Sequence, residues 1–479
     1  MVTEEKTISV PKNDLKWCAV SLSDVIAAGM RLEAAVFNIE GKQARKTIEN
    51  CRYKYKQLCG SDGIATAYVG GRFKRIWLKK SILPIYQPST IMDIKPRPDG
   101  YLSHITNTNI DELRVAKGQI LMTCSGTIGK TALVSNTLNN QIFSHDLIRI
   151  NCNNQNETGY VYAYLSSKTG NTILATNKYG SVIQHIEPEH LTDIPVPNPP
   201  EEIKKHINDL IIRSFELRDK SNDLIDKATE LLISTLKLSP IEEIKAKRFD
   251  EKREVNNFNV KLSDVDNRFD ASYHAPIANA ITKHLKENAA ELTNVGDKRV
   301  SKNIVLPGRF KRVYVEEGQG RVFFGGKQIY ELDPSNKKYL STSKHSARIK
   351  AELGITENTI LITRSGTVGK VTITPKHWEH WVASDHIIRI FPNENIAGYL
   401  SIFLSSDYGH CLIKKFVYGS VVDEIDDIHV SQIPFPFLKD KAIQTEINNL
   451  ALEANKLRYE AYLLEQRAIK SVEEDVIFA

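Results

Sequence analysis

The sequence predicts an α+β protein built from two tandem copies of one mixed domain, each copy followed by a long helix. Three observations predict it. An ordered set of motifs recurs 237 to 240 residues further along the chain. Short β-branched stretches bounded by turn signals fill each copy. A segment free of Pro and Gly, with heptad-like apolar stepping, follows each copy.

The motif matches establish the duplication. ILMTCSGTIGK at 120–130 returns as ILITRSGTVGK at 360–370, identical at eight of eleven positions. SHDLIRI at 144–150 returns as SDHIIRI at 384–390, LSDV at 22–25 as 262–265, and GRFKR at 71–75 unchanged at 308–312. LSSKTG (165–170) matches LSSDYG (404–409), YGSV (179–182) recurs at 418–421, and IPVP (194–197) matches IPFP (433–436). A period this long makes each unit a whole domain rather than a solenoid element.

Within each unit, GQILMTC, ALVS, DLIRI and RIWL, and their counterparts TILITR, VTIT, HIIRI and RVYV, read as strands. GYVYAYLSSKTGNTILAT and GYLSIFLSSDYGHCLIKKF read as a helix with a Gly-containing break. After Pro200, Ile203, Ile207, Leu210, Ser214, Leu217, Ser221, Leu224, Ala228 and Leu231 step by four and three. After Pro436, Ile443, Ile447, Leu450, Ala454, Leu457, Ala461, Leu464 and Ala468 do the same. Alanines in that seam let two backbones approach closely. The segments therefore read as an antiparallel coiled coil, with two unrelated surface helices as the alternative. The expected divisions are 1–198, a central helix over 199–240, a second module over 241–437, and a last helix over 438–479.

Composition sets outer limits. A chain of 479 residues exceeds one compact core. With 41% hydrophobic and 25% charged residues it is an ordinary globular composition. No apolar run approaches the ~20 residues that span a bilayer, and the N-terminus lacks a signal-peptide layout. The six cysteines show no pairing pattern and read as reduced thiols, so a cytoplasmic location is expected. The net charge of +6 permits a polyanionic partner without requiring one.

Several enzymatic readings fail on single positions. SGTIGK resembles a phosphate-binding P-loop, but Cys124 and Arg364 stand where its first glycine belongs. Asn198-Pro199-Pro200 lacks the aromatic that stacks on a flipped base in amino-methyltransferases, because Glu201 follows. His145-Asp146 and Asp385-His386 stand at matching sites in swapped order, which suits polar strand ends better than a metal or acid–base pair. No catalytic or metal-ligating constellation emerges.

The matched residues suit binding. Arg72, Lys74 and Arg75 correspond to Arg309, Lys311 and Arg312, with Phe73 and Phe310 between them. On a strand, alternation would put Arg72 and Lys74 on one face and Phe73 with Arg75 on the other. Such charges contact phosphates without reading sequence; a solvated basic turn is the alternative. The block around Ser125 and Lys130, and around Ser365 and Lys370, offers backbone N–H groups and a cation to phosphate, or is a tight structural hairpin. Tyr179 and Ser181, matched by Tyr418 and Ser420, form a loop into a groove or a plain turn.

Two diverged modules, each ending in I-P-x-P before a long helix, with S-G-T-x-G-K in mid-module and Y-G-S near the end, resemble the specificity subunit of type I restriction–modification systems. RLEA at 31–34 and RFDASYH at 268–274 are similar to an opening seen in many such chains. The resemblance covers essentially the whole chain, although the helix starts PNPPEEIKKHI and PFPFLKDKAIQTEI lack that family's Glu-Gln pair. It implies that each module is a target recognition domain reading one half of an asymmetric bipartite sequence in double-stranded DNA. It implies helices that set the gap and dock two modification methyltransferase subunits, with an endonuclease/translocase subunit joining them. Catalysis would then lie in the partners, along with S-adenosylmethionine, ATP and Mg; this chain would hold no cofactor or metal and meet no membrane. The resemblance makes the matched basic, serine and tyrosine residues DNA contacts. Arg364 opposite Cys124 is a candidate base reader, since arginine pairs well with guanine. A seam of ~37 residues at 1.5 Å each spans roughly 55 Å, so modules near its ends could meet half-sites about one turn of DNA apart. The alternatives are the recognition subunit of another DNA-modifying defence system or fused restriction–methylation enzyme, and a protein-binding coiled-coil scaffold.

Overall fold

The computed structural model describes residues 19–27, 30, 32, 37–176, 185–246, 258–265, 268–334 and 337–479. The first module contains strands β1 (Tyr55–Gln57), β2 (Ala65–Val69), β3 (Trp77–Leu78), β4 (Pro84–Tyr86), β5 (Gly100–Leu102), β6 (Ile120–Thr123), β7 (Thr131–Leu133), β8 (Ile142–Phe143), β9 (Leu147–Cys152) and β10 (Pro195–Pro197). The second contains β11 (Glu291–Asn294), β12 (Ser301–Val305), β13 (Tyr314–Val315), β14 (Gly320–Phe324), β15 (Lys338–Ser341), β16 (Ile360–Thr363), β17 (Val371–Ile373), β18 (Val382–Ala383), β19 (Ile387–Pro392) and β20 (Pro434–Phe437). Each module folds these into sheets of identical topology. The orders β2-β9-β6-β7, β3-β5-β4-β8 and β1-β10 recur as β12-β19-β16-β17, β13-β15-β14-β18 and β11-β20. The fold repeats as completely as the motifs do.

The ILMT and ILIT stretches are apolar up to their closing threonine because β6 and β16 are buried along their whole length. Successive side chains of a strand point to opposite faces, and here both faces are covered. Ile120 and Met122 enter the larger core, whereas Leu121 joins Phe143, Leu147 and Ala132 in a smaller one. Ile360, Ile362 and Leu361 divide the same way, the last packing with Phe324, Trp378 and Trp381. The arginine of each matched R-I pair is also fully buried. Arg149 donates to the carbonyls of Leu147, Leu113 and Phe143, and Arg389 to those of Ser384, Leu353, Ile387 and Ala383. Burial pushes the Arg389 guanidinium down to about 9. Such an arginine ties strand-end and turn carbonyls together and is not available to a ligand.

The break in the G-Y helices falls at serine, not at glycine. Helices Thr158–Ser166 and Lys168–Thr176 meet at Ser167, and Ala397–Ser405 and Asp407–Lys415 at Ser406, whose hydroxyl accepts from the Gly409 N–H. The glycine allows close approach of the next turn, since a Cβ at Gly409 would lie 2.2 Å from the Phe403 carbonyl oxygen.

The central helix runs Glu201–Thr235 and the C-terminal helix Lys441–Ser471. They pack antiparallel: Ile207 and Ile211 share a core with Ala468 and Val472, Leu217 packs with Leu457 and Ala461, and Ala228 and Leu232 pack with Ile447 and Ala451. Ser214 donates its hydroxyl to the Ala461 carbonyl at 2.7 Å, which needs small residues at the crossing. The helices also exchange ends. Leu236, Leu238 and Ile241, just beyond the central helix, enter the second module's core, while Val472, Val476 and Ile477 enter the first module's. The last segment is therefore more than a spacer.

Each module grips the start of its own helix through an equivalent contact. The N–H of Gly159 donates to Asn208 Oδ1 at 2.8 Å, and that of Gly398 to Asn448 Oδ1 at 2.9 Å. A Cβ at Gly398 would lie 2.2 Å from the Asn448 carbonyl oxygen, with backbone that cannot swing aside. Gly398→Ala should cost about 1–3 kcal/mol through overpacking. Gly325→Ala, which meets nothing within 4 Å, should stay within about 0.5 kcal/mol. Urea denaturation of the full chain checks both, and equal midpoints for the two variants would refute the close-approach argument.

Candidate nucleic-acid interface

The two G-R-F-K-R segments are connections leading into β3 and β13, not strands. Their side chains alternate in exposure nonetheless. Phe73 packs on Leu83, Ile85 and Leu113, and Phe310 on Phe323, Leu340 and Leu353. Arg72, Lys74, Arg309 and Lys311 stand exposed, with Arg75 and Arg312 half-buried beside the phenylalanines. Exposed Tyr68, Trp77 and Leu78 flank the first segment and Tyr314 the second. Aromatic faces interleaved with cations are the ingredients of a nucleic-acid surface.

S-G-T-x-G-K forms the hairpin joining β6 to β7 and β16 to β17. Gly126, Gly129, Gly366 and Gly369 all have positive φ, where a side chain would be strained. Thr123 and Thr363 accept the backbone N–H of Lys130 and Lys370 on their hydroxyls, closing the turn. The structural hairpin is thus what forms. It has two ends with different surroundings.

One end of the hairpin meets the basic segment. In the second module Arg364 and Arg309 both reach Glu424, at 2.7 and 3.1 Å. Arg312 holds Asp385 at 2.6 Å, and that ion pair keeps the carboxyl below its usual range against the effect of burial. Ser365 bonds His386 at 2.7 Å. Tyr418 and Glu424 close a β-bridge whose loop carries Gly419 at φ +113° and exposed Ser420 and Val421. Four motifs far apart in sequence converge here.

The first module holds different residues on the same frame. Cys124 replaces Arg364, and His185 replaces Glu424, since Ser125 bridges His185 as Ser365 bridges Glu424. Without the Arg–Glu–Arg cluster a cavity of about 410 Å³ opens, lined by Tyr68, Arg72, Cys124, His145, Asp146 and His185. Burial holds His145 below its ordinary pKa despite Asp146 at 3.3 Å, with Arg75 and Arg72 acting in the same direction as burial. Burial raises the Cys124 thiol to about 11, so it is not a nucleophile at neutral pH. Tyr179 and Ser181 lie outside the described residues.

The other end of the hairpin departs from the phosphate expectation. Lys130 turns away from the basic segment and pairs with Glu331 of the second module at 3.1 Å, with side chains 17% and 5% exposed. Lys370 lies over the Tyr330 ring at 5.2 Å. An isolated antiparallel bridge joins Asp93 to Glu331, and the Ile94 N–H donates to the Tyr330 carbonyl at 3.0 Å. Burial raises the Asp93 carboxyl to about 7, with Lys370 opposing, Glu331 adding, and Lys130 opposing. Sequence reasoning missed Asp93, Glu331, Glu424 and His185. The match of IMDIKP (91–96) to IYELDP (329–334), which keeps an acid between Ile and Pro, is the signal that finds the first two.

Among the described residues no group of three His, Cys, Asp or Glu side chains is placed to hold a metal, and no helix is long and apolar enough to cross a membrane. Cys51, Cys59, Cys124 and Cys152 are free thiols.

Two copies of one loop-built basic face, carried on an antiparallel helix pair, define a two-headed binding protein. The model of the type I restriction modification DNA specificity domain matches residues 79–226 and 319–453, more than half of the chain, and the chain belongs to that family. Solved structures with similarity include the S subunit of a type I restriction-modification system from M. genitalium (14% identity, TM-score 0.32, 89% of this chain and 92% of that one). The HsdS subunit from Thermoanaerobacter tengcongensis is another (14%, 0.26, 85% and 96%). A third comes from work on complex assembly and conformational transition of the type I R-M system (16%, 0.27, 87% and 98%). No curated protein matches.

The Asp93 geometry carries a pH dependence. Its folded pKa stands above its unfolded one, so its contribution is fully present below about pH 4. That contribution is lost as pH rises through about 7. Thermal unfolding followed from pH 5 to 8.5 should therefore show a loss that Asp93→Asn flattens; parallel profiles for the two proteins would contradict it.

Proposed function

We propose that this chain directs a type I restriction–modification complex to an asymmetric bipartite DNA target, each module reading one half-site. The observation that carries the reading is the divergence of the two faces on an identical frame. Arg309, Arg364 and Glu424 in one module stand where Arg72, Cys124 and His185 stand in the other. Shared exposed cations, Lys74 and Lys311 with Arg72 and Arg309, fit phosphate contacts that fix register. The differing neighbours, Arg364 above all, fit sequence readout. Tyr418 and Ser420 fit a loop entering a groove, with Tyr179 and Ser181 as its counterparts.

Membership of the family supports a reading of the rest of the assembly. Two modification methyltransferase subunits dock on the helix pair, and an endonuclease/translocase subunit joins them. S-adenosylmethionine, ATP and Mg then act in those partners and this chain contributes no catalytic group.

Methylome sequencing of cells carrying the complex should give a motif of two unlike half-sites with a fixed unspecified gap; a continuous or palindromic motif would count against two distinct readers. Lys74→Ala and Lys311→Ala should each weaken binding alike for all sequences and reduce the salt slope by about 1. Equilibrium binding between 50 and 200 mM salt measures this, and an unchanged slope removes that lysine from the interface.

A further inference from the structure

The lysine ending each S-G-T-x-G-K hairpin, one of the best-kept residues of the repeat, does not lie on the basic face. The segment that meets it is itself repeated: Asp93 and Glu331 occupy the same position in IMDIKP and IYELDP. These two equivalent residues pair with each other across the modules in an antiparallel bridge. Equivalent residues that pair with each other lie on a local twofold axis, so the contact is self-complementary. Around that axis Lys130 of the first module reaches Glu331 of the second. By the same symmetry Lys370 faces Asp93, for which no ion pair within 4 Å occurs among the described residues; Lys370 instead rests on Tyr330. Arg97 donates to the Ser405 carbonyl at 3.1 Å, and Lys95 pairs with Asp226 of the central helix, so the first module's segment is tied to helix and neighbour alike. Glu331 is 4% exposed, and a carboxylate buried that deeply is strongly penalised when its cation is removed.

We propose that Lys130, Glu331, Asp93 and Lys370 form a latch between the two modules that fixes the distance and phase of their DNA-reading faces. The helix pair sets where the modules are mounted; the latch sets how each is turned on its mount. These are positioning residues, and the proposal rests on the DNA reading above.

The test is a double-mutant cycle of Lys130→Met, Glu331→Gln and the two together, in the full chain purified with its partners. Binding is measured to duplexes carrying the methylome half-sites with the native gap and with one base pair more or fewer. Each variant should reduce the preference for the native gap about tenfold, while discrimination against mismatched half-sites stays as in the parent chain. The double variant should be no worse than either single, as expected of one shared contact. Gap preference unchanged in both singles overturns the latch. Hydrogen exchange gives a readout that does not depend on DNA: residues 91–97 and 329–334 should exchange at least tenfold faster in each variant, and unchanged protection there overturns the latch as well. Should the parent chain bind no specific DNA while the exchange result holds, the function reading fails and the latch stands.

Discussion

Everything in this molecule depends on the antiparallel packing of two helices close enough for a serine hydroxyl to reach a backbone carbonyl on the other. Ser214 on the Ala461 carbonyl, with Ala228, Ala451, Ala454 and Ala468 buried along the same seam, leaves no room for larger side chains at the crossing. That closeness makes the pair a stiff bar. Because the continuation of each helix enters the opposite module's core, the bar is not a linker between finished domains but part of both. Neither module's larger core is complete without the far end of the other module's helix.

The consequence for function is geometric. The basic faces lie on modules whose positions along the bar are set by buried glycine–asparagine contacts at each helix start, Gly159 on Asn208 and Gly398 on Asn448. Divergence can then proceed on the faces without disturbing the frame. The second module stabilises its face internally, with Glu424 between two arginines, whereas the first leaves a polar cavity in the same place. A carboxylate already shared by two guanidiniums orients both, so Arg364 is held in one geometry before any ligand arrives. The first module presents His145 and His185 around open volume instead. Two unlike faces on one frame fit the asymmetric target proposed above.

Much of this was legible from periodicity. Arg72, Phe73 and Lys74 alternate in exposure even though the segment is not a strand, because Phe73 packs into a small core between two exposed cations. The helix seam held in outline, with Ile207, Ser214, Leu217, Ser221 and Ala228 buried as stepped. For Lys130 the deciding neighbour comes from the other repeat. Lys130 looked like a phosphate ligand because a small-residue turn ending in lysine is one in isolation; its partner Glu331 is some two hundred residues away. The burial of Arg149 and Arg389 was hidden for a different reason: their acceptors are backbone carbonyls of their own module, which sequence does not distinguish.

The sequence by itself determined the duplication, the mixed fold of each copy, the helices and their stepping, and which residues the two faces share and do not share. These are local or self-referential properties, readable from spacing and from comparing one half of the chain with the other. Tertiary structure alone decided that the helices exchange ends between modules and that one hairpin serves two surfaces. It alone placed Asp93 against Glu331 on a local axis. Each of those depends on which distant side chains share a volume once water is excluded, and no pattern along the chain encodes that directly.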